Sequence, residues 1–169
     1  MDKIENLHDG QSITKLQEMI KSIGVCMFFT KRGGGKAEVR PMSVADVDDN
    51  GNIWFLAAKN SEKVENIHFD NDVHLVFAHP GKEMYLDING TAEVTDDRNS
   101  IKRIWTPFAK AWFTLGVNDP DLCAIKVTAE RGNYWDTQHG KLVEFLSIIS
   151  SVVTGKKSGD GVSGKIEVN

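Results

Sequence analysis

Apolar residues come in short bursts along this chain. VCMFFT (residues 25–30), IWFLAA (53–58), DVHLVFA (72–78), EMYLDINGTAEVT (83–95) and LCAIKV (122–127) are each bounded by Gly, Asn, Asp or Pro within a few residues. Runs of this length fit β-strands and fall well short of the roughly 20 apolar residues that a membrane-spanning helix needs. The connections decide the architecture. Successive parallel strands need a crossover of a dozen or more residues, whereas several of these runs follow one another through tight Gly- and Asn-containing turns. About seven short strands, with small helices between only some of them, favour a mainly β fold with α additions, an antiparallel barrel, over a doubly wound parallel sheet.

The individual elements read as follows. In SITKLQEMIKSIG (12–24), Ile13, Leu16, Ile20 and Ile23 recur at three- and four-residue spacing, which predicts an amphipathic helix with Ser12 as N-cap and Gly24 as its stop. VCMFFT is a buried strand, KRGGGK its turn, and AEVRPMSVADVD (37–48) a second strand in which Val39 interrupts a more polar face. The Asn-Gly of DDNGN marks a hairpin, because it accepts positive φ at little cost. IWFLAA leads into a helix, SEKVENIHF (61–69), followed by two strands, the second with a bulge or bend at Gly90. Asp96 and Asp97 open a helix that runs through Ile101, Ile104 and Trp105, and TPFAKAWFTLGVNDPD (106–121) is a short helix and a loop. LCAIKVTAERGNYWD (122–136) is expected to form two closing strands around a tight ERGN turn, and KLVEFLSIISSVVTG (141–155) a last helix. The chain of 169 residues suits one core, so we expect a single domain over 1–155 and a flexible Gly-, Ser- and Lys-rich tail over 156–169.

Charge and composition exclude several classes of function. The net charge is −4 and the lysines and arginines are scattered, which disfavours nucleic-acid binding. MDKIENLHDGQS (1–12) lacks the apolar core of a signal peptide and the Arg-rich character of a transit peptide, so a cytoplasmic location is expected. Cys26 and Cys123 each lie within an apolar run, away from other metal-ligand residues, and read as buried reduced thiols. No metal site is expected: His68 falls on a helix, while His74 shares its strand face with Val76 and Ala78. RGGGK lacks the Lys-Ser or Lys-Thr pair of a phosphate-binding P-loop, and no nucleophile-elbow motif frames a serine.

Three features carry chemistry. Lys63 falls in the first turn of the helix after IWFLAA, where a cation opposes the helix dipole. Either it points into water and pairs with Glu62 or Asn66, or an anion at the helix start gathers the free N–H groups, the Ser61 hydroxyl and the Lys63 ammonium. Arg40 precedes Pro41 within a strand, a proline position confined to sheet edges and interruptions, so it is a solvated edge residue or a second contact to a phosphate or an electron-rich ring. Trp105 and Trp112 are seven residues apart with Pro107 breaking any helix between them; such indoles fill cores and subunit interfaces, and an exposed pair could cover a planar ring.

Taken in order, the first helix, a hairpin ending in Arg40-Pro41-Met42, IWFLAAKN, the SEK turn, VENIHFDNDVHLVF, MYLDINGTAEV, a helix with Trp105 and a closing YWD resemble the pyridoxamine-phosphate oxidase-like FMN-binding split barrels, in particular the general stress protein branch, over residues 12–136. The resemblance implies an antiparallel split β-barrel homodimer with FMN at the subunit interface. It implies that Arg40, Pro41 and Met42 lie against the flavin, that Phe55, Leu56 and Ala57 give main-chain contacts, that Ser61 and Lys63 grip the phosphate, and that Trp105 and Trp112 approach from the partner subunit. Two departures stand out. The family's oxidases carry an arginine between the phosphate-binding serine and lysine where this chain has Glu62, which lowers the expected phosphate affinity. Residues 134–155 also lack the close arginine and histidine with which those oxidases grip substrate, so vitamin B6 phosphate oxidation is not expected. The resemblance leaves open an FMN-dependent oxidoreductase acting on an unidentified small molecule in the stress response, a non-catalytic flavin module for storage or sensing, and a binder of haem or deazaflavin.

Overall fold

The short apolar runs become strands of one antiparallel sheet in the computed structural model, which describes residues 10–33 and 35–136 and the backbone of 141–145. Helix α1 (Gly10–Ile23) is followed by β1 (Val25–Arg32), β2 (Lys36–Ser43), β3 (Asp46–Val47), β4 (Ile53–Ala58), helix α2 (Glu62–Phe69), β5 (Asp72–His79), β6 (Met84–Thr95), helix α3 (Arg98–Ile104), β7 (Leu122–Asp136) and β8 (Lys141–Phe145). The strand order is β2-β1-β5-β6-β7-β4-β3, with β8 added beside the far end of β7.

The stretch expected as one strand over 37–48 divides into β2 and β3, which lie at opposite ends of that order. The break has a cause in the hydrogen bonds: the Val44 N–H turns to the Gly24 carbonyl and the Ala45 N–H to the Trp54 carbonyl. A link this short spans at most about 11 Å from Ser43 to Asp46. The two ends of the sheet are therefore neighbours in space, and the sheet curls into a barrel whose edges meet without a closing ladder between β2 and β3. This is the expected split barrel.

Burial follows from that curl. Phe28, Phe55, Leu75, Phe77, Leu86, Ile88, Ile125 and Val127 fill the interior, with the Phe28 and Phe55 rings edge to face at 5.1 Å. Leu16, Met19 and Ile20 of α1 join the same core; burial of such side chains contributes about 1.5–3 kcal/mol each, which makes α1 integral to the fold. Strand β4 is apolar throughout because it is covered on both faces. Ile53, Phe55 and Ala57 point into the barrel, while Trp54, Leu56 and Ala58 meet Ile101 and Ile104 of α3. The DDNGN hairpin closes as expected: Gly51 takes φ 79°, and the Asp48 carboxylate accepts hydrogen bonds from the Asn50 and Asn52 N–H groups, the Asn52 amide and the Trp54 indole.

Three other expectations are corrected. Ser12 is not the N-cap of α1, since the helix already runs from Gly10 and Ser12 is buried in its first turn. ERGN is not a turn: β7 is one 15-residue strand, and the register with β6 steps from Asn89–Arg131 to Gly90–Ala129, leaving Glu130 as the extra residue of a bulge. The glycines there allow close approach of two backbones, because a Cβ on Gly90 would sit 2.2 Å from the Thr128 carbonyl oxygen and one on Gly132 2.5 Å from that of Asp87. The segment expected as a last helix begins instead as β8, drawn into extended form by the free edge of β7; its continuation and the tail over 156–169 lie outside the described residues. No helix among the described residues is long and apolar enough to cross a membrane.

Candidate functional site

The fold places the start of α2 directly after β4. Ser61 is the N-cap in extended conformation, but its hydroxyl donates back to the Ala58 carbonyl at 2.7 Å and caps nothing in the helix. The first bonded helical amides are those of Val64 and Glu65, both reaching the Ser61 carbonyl at 3.1 Å. The Glu62 and Lys63 N–H groups have no internal acceptor among the described residues, as the first turn of a helix requires unless something outside it accepts them.

Lys63 is half-buried and makes no hydrogen bond or ion pair with any described residue. Neither of its expected partners is available. Glu62 is bonded by the Arg32 guanidinium from β1 at 2.8 Å, and the buried Asn66 amide donates to Thr30 Oγ1 at 3.0 Å and Glu38 Oε2 at 2.8 Å. Burial, and after it the charge of Arg40, push the Lys63 ammonium below the 10.5 of an ordinary lysine, with the nearby Cys123 acting weakly the other way. Lys63, at the positive end of α2, thus feels the charge of a second cation carried by a different element.

Arg40 reaches this point from β2, the edge strand, which also accommodates Pro41. Arg40 pairs across the ladder with Phe28 and therefore shares the inward face of the sheet. Its Nη1 donates to Thr30 Oγ1 at 2.7 Å, and its Nη2 lies 3.5 Å from Glu38 Oε2. Met42 continues the same face and is buried; Pro41 is exposed on the other.

On the far side of the seam β3 covers β4 only at Ile53 and Trp54. The Trp54 carbonyl accepts from Ala45 on that side, so by strand alternation the Leu56 N–H and C=O face the same way, and no described strand lies beside them. The Phe55 and Ala57 main chains point instead toward β7, and Cys123 of that strand donates its thiol to the Ala57 carbonyl at 3.4 Å. Of the three β4 residues expected to offer main-chain contacts, Leu56 is the one whose backbone is open. Trp105, the residue that ends α3, packs against the cluster of Trp54, Ile101, Ile104 and Leu122, as Leu56 and Ala58 do; Trp112 lies beyond a 3-10 turn begun by Pro107 and is 76% exposed.

The structure therefore links Arg40 of β2 to α2, which Ser61 and Lys63 open, through Thr30 and Asn66, with Leu56 on the strand that leads into that helix; no described contact ties Met42, Trp105 or Trp112 to this point. Both cysteines are free and buried, and burial raises their thiols to about 12 for Cys26 and about 11 for Cys123, which keeps them protonated and inert at neutral pH. Sequence reasoning missed the polar residues that support Arg40. Glu38 could have been found from the two-residue alternation with Arg40; Thr30 and Asn66 are brought in only by tertiary pairing. His74, on the strand face it shares with Val76 and Ala78, stacks on Phe29 at 5.3 Å and bonds to Asp87 on the outer face of the sheet, away from this site.

Comparison with known proteins fits this geometry. Protein bli-3 of Neurospora crassa is 23% identical over 156 residues, covering 86% of this chain and 75% of that protein. A Clostridium acetobutylicum protein related to general stress protein 26 of the pyridoxinephosphate oxidase family superposes with TM-score 0.69 at 28% identity, over 85% of this chain and 99% of its own. The general stress FMN/FAD binding protein of Xanthomonas citri shares the fold, with TM-score 0.63 at 22% identity over 92% of this chain and 99% of that one. With a split barrel, an open seam and a family model, pyridoxamine 5'-phosphate oxidase like, matching residues 11–159, the chain belongs to the pyridoxamine 5'-phosphate oxidase-like family.

Proposed function

We propose that this protein binds FMN at the start of α2, works as a homodimer in the cytoplasm, and uses the flavin to oxidise or reduce a small molecule in a stress response. The observation that carries the reading is Lys63, a half-buried cation held near Arg40 with no counter-ion among the described residues. Like charges at a helix N-terminus oppose one another until an anion joins them, and a phosphate ester supplies that charge. The Xanthomonas citri relative, itself an FMN/FAD binding protein, supports the choice of a flavin.

In this reading Lys63 and the Glu62 and Lys63 N–H groups hold the phosphate, joined by the Ser61 hydroxyl once it releases Ala58. Arg40 and the main chain of Pro41 and Met42 lie against the flavin, with Arg40 toward its phosphate, and the open backbone of Leu56 meets the polar edge of the ring. Bound flavin supplies electron and hydride transfer; the chain's part is to bind, orient and shield it. Exposed Phe108, Trp112 and Leu115, together with Val25, Met27, Val39, Tyr85 and Trp135 on the outer face of the sheet, provide apolar surface for a second subunit. Trp105 and Trp112 of that subunit complete the site. Native mass spectrometry of the purified protein should show two chains carrying two FMN. A protein that gains no mass on incubation with FMN refutes the reading, and steady-state turnover with NADH or NADPH separates a working oxidoreductase from a flavin carrier.

A further inference from the structure

We infer that Thr30, a residue with no access to any ligand, is a positioning residue that holds Arg40 and α2 in the arrangement needed for anion binding; the inference rests on the flavin reading above. Thr30 is the sixth of the eight residues of β1 and is 1% exposed. Its Oγ1 accepts two hydrogen bonds, from Arg40 Nη1 on β2 at 2.7 Å and from Asn66 Nδ2 on α2 at 3.0 Å. Asn66 lies three residues beyond Lys63 on the same short helix. One buried hydroxyl therefore ties together the two elements that carry the two cations.

The tie is needed because the cations repel. Arg40 lowers the proton affinity of Lys63, and among the described residues no carboxylate pairs with Lys63 to offset the repulsion. Glu38, the remaining partner of both Arg40 and Asn66, approaches Arg40 only at 3.5 Å, so the direction of the guanidinium rests on Thr30. Without that hydroxyl the arginine swings away toward solvent, and a ligand must spend part of its binding energy to bring it back.

The test is FMN affinity, measured by quenching of flavin fluorescence, for wild type, Thr30→Val, Thr30→Ala and Thr30→Ser, with wild type and Thr30→Val both repeated in an Arg40→Ala background. Thr30→Val keeps the shape and removes the acceptor; loss of a bond to a charged donor should weaken binding about tenfold or more. Thr30→Ala, which adds no atoms, should show the same loss, and Thr30→Ser should restore most of it. If Thr30 acts through Arg40, Thr30→Val costs little further once Arg40 is gone. An equal loss in both backgrounds, failure of serine to restore binding, or full affinity in Thr30→Val and Thr30→Ala overturns the inference while leaving the flavin site standing. Wild type that does not bind FMN overturns both.

Discussion

Replacing Lys63 by methionine should change stability and binding in opposite directions. In the ligand-free protein its ammonium suffers partial burial, the charge of Arg40 and the positive end of α2, and gains no partner in return. The dipole contributes a few tenths of a kcal/mol; with the repulsion from Arg40, discounted for solvent screening because the side chain is only half-buried, the total is about 0.5–1 kcal/mol. Methionine keeps the length and the apolar stem while removing the charge. For a chain of this size about 1 kcal/mol corresponds to roughly 2–4 °C, so the flavin-free Lys63→Met protein should melt about 1–4 °C higher. A charge-assisted phosphate contact is worth about 1.5–3 kcal/mol, so the same substitution should weaken FMN binding roughly 10- to 150-fold. Differential scanning fluorimetry on flavin-stripped protein and a fluorescence titration with FMN measure the two effects on one sample. A lower melting temperature combined with unchanged FMN affinity would show that Lys63 is a structural lysine and that the electrostatic reasoning is wrong.

Three other outcomes follow from the fold. Gly90→Ala should cost about 3 kcal/mol or more in urea unfolding, because its Cβ meets a backbone oxygen that cannot move without shifting β7; near-native stability would mean that the bulge at Glu130 yields easily. Burial alone would raise the Asp48 carboxyl, but hydrogen bonds from Trp54, Asn52 and Asn50 hold it below its ordinary 3.8. A depressed folded value stabilises the protein above 3.8, and that contribution is lost as the pH falls through the folded value. The stability gap between wild type and Asp48→Asn should therefore be full at neutral pH and close in acid, and a gap independent of pH would contradict it. Phe108→Ser with Trp112→Ser should convert a dimer to monomers in light scattering while leaving the circular dichroism unchanged; a dimer that persists would place the interface elsewhere.

Where local periodicity and packing agree, the fold was legible. Leu16 and Ile20 mark the buried face of α1, Gly24 ends it with φ 80°, and Asn50-Gly51 turns the chain between β3 and β4. Asp97 caps α3 by accepting the Ser100 N–H at 2.9 Å. The errors arise where a long-range partner overrides a local signal. Glu130 to Asn133 has the composition of a turn, yet pairing with β6 along its whole length keeps β7 extended, with a bulge absorbing the extra residue. The KLVEF segment has helical spacing, but β7 offers an open edge. Residues 37–48 read as one strand because nothing local tells Val44 and Ala45 to bond to Gly24 and Trp54. The site divides in the same way. Arg40, Ser61 and Lys63 are visible as residues out of keeping with their local structure, whereas Thr30 and Asn66 look ordinary in sequence and gain their meaning from the contact between β1, β2 and α2.

The electropositive socket at the start of α2 is tested most directly by isothermal titration calorimetry of FMN against riboflavin, which differ only in the phosphate. If Lys63, the first-turn amides and Arg40 form that socket, FMN should bind roughly a hundredfold or more tighter than riboflavin, since several charge-assisted contacts depend on the phosphate. Equal affinities for the two would contradict it.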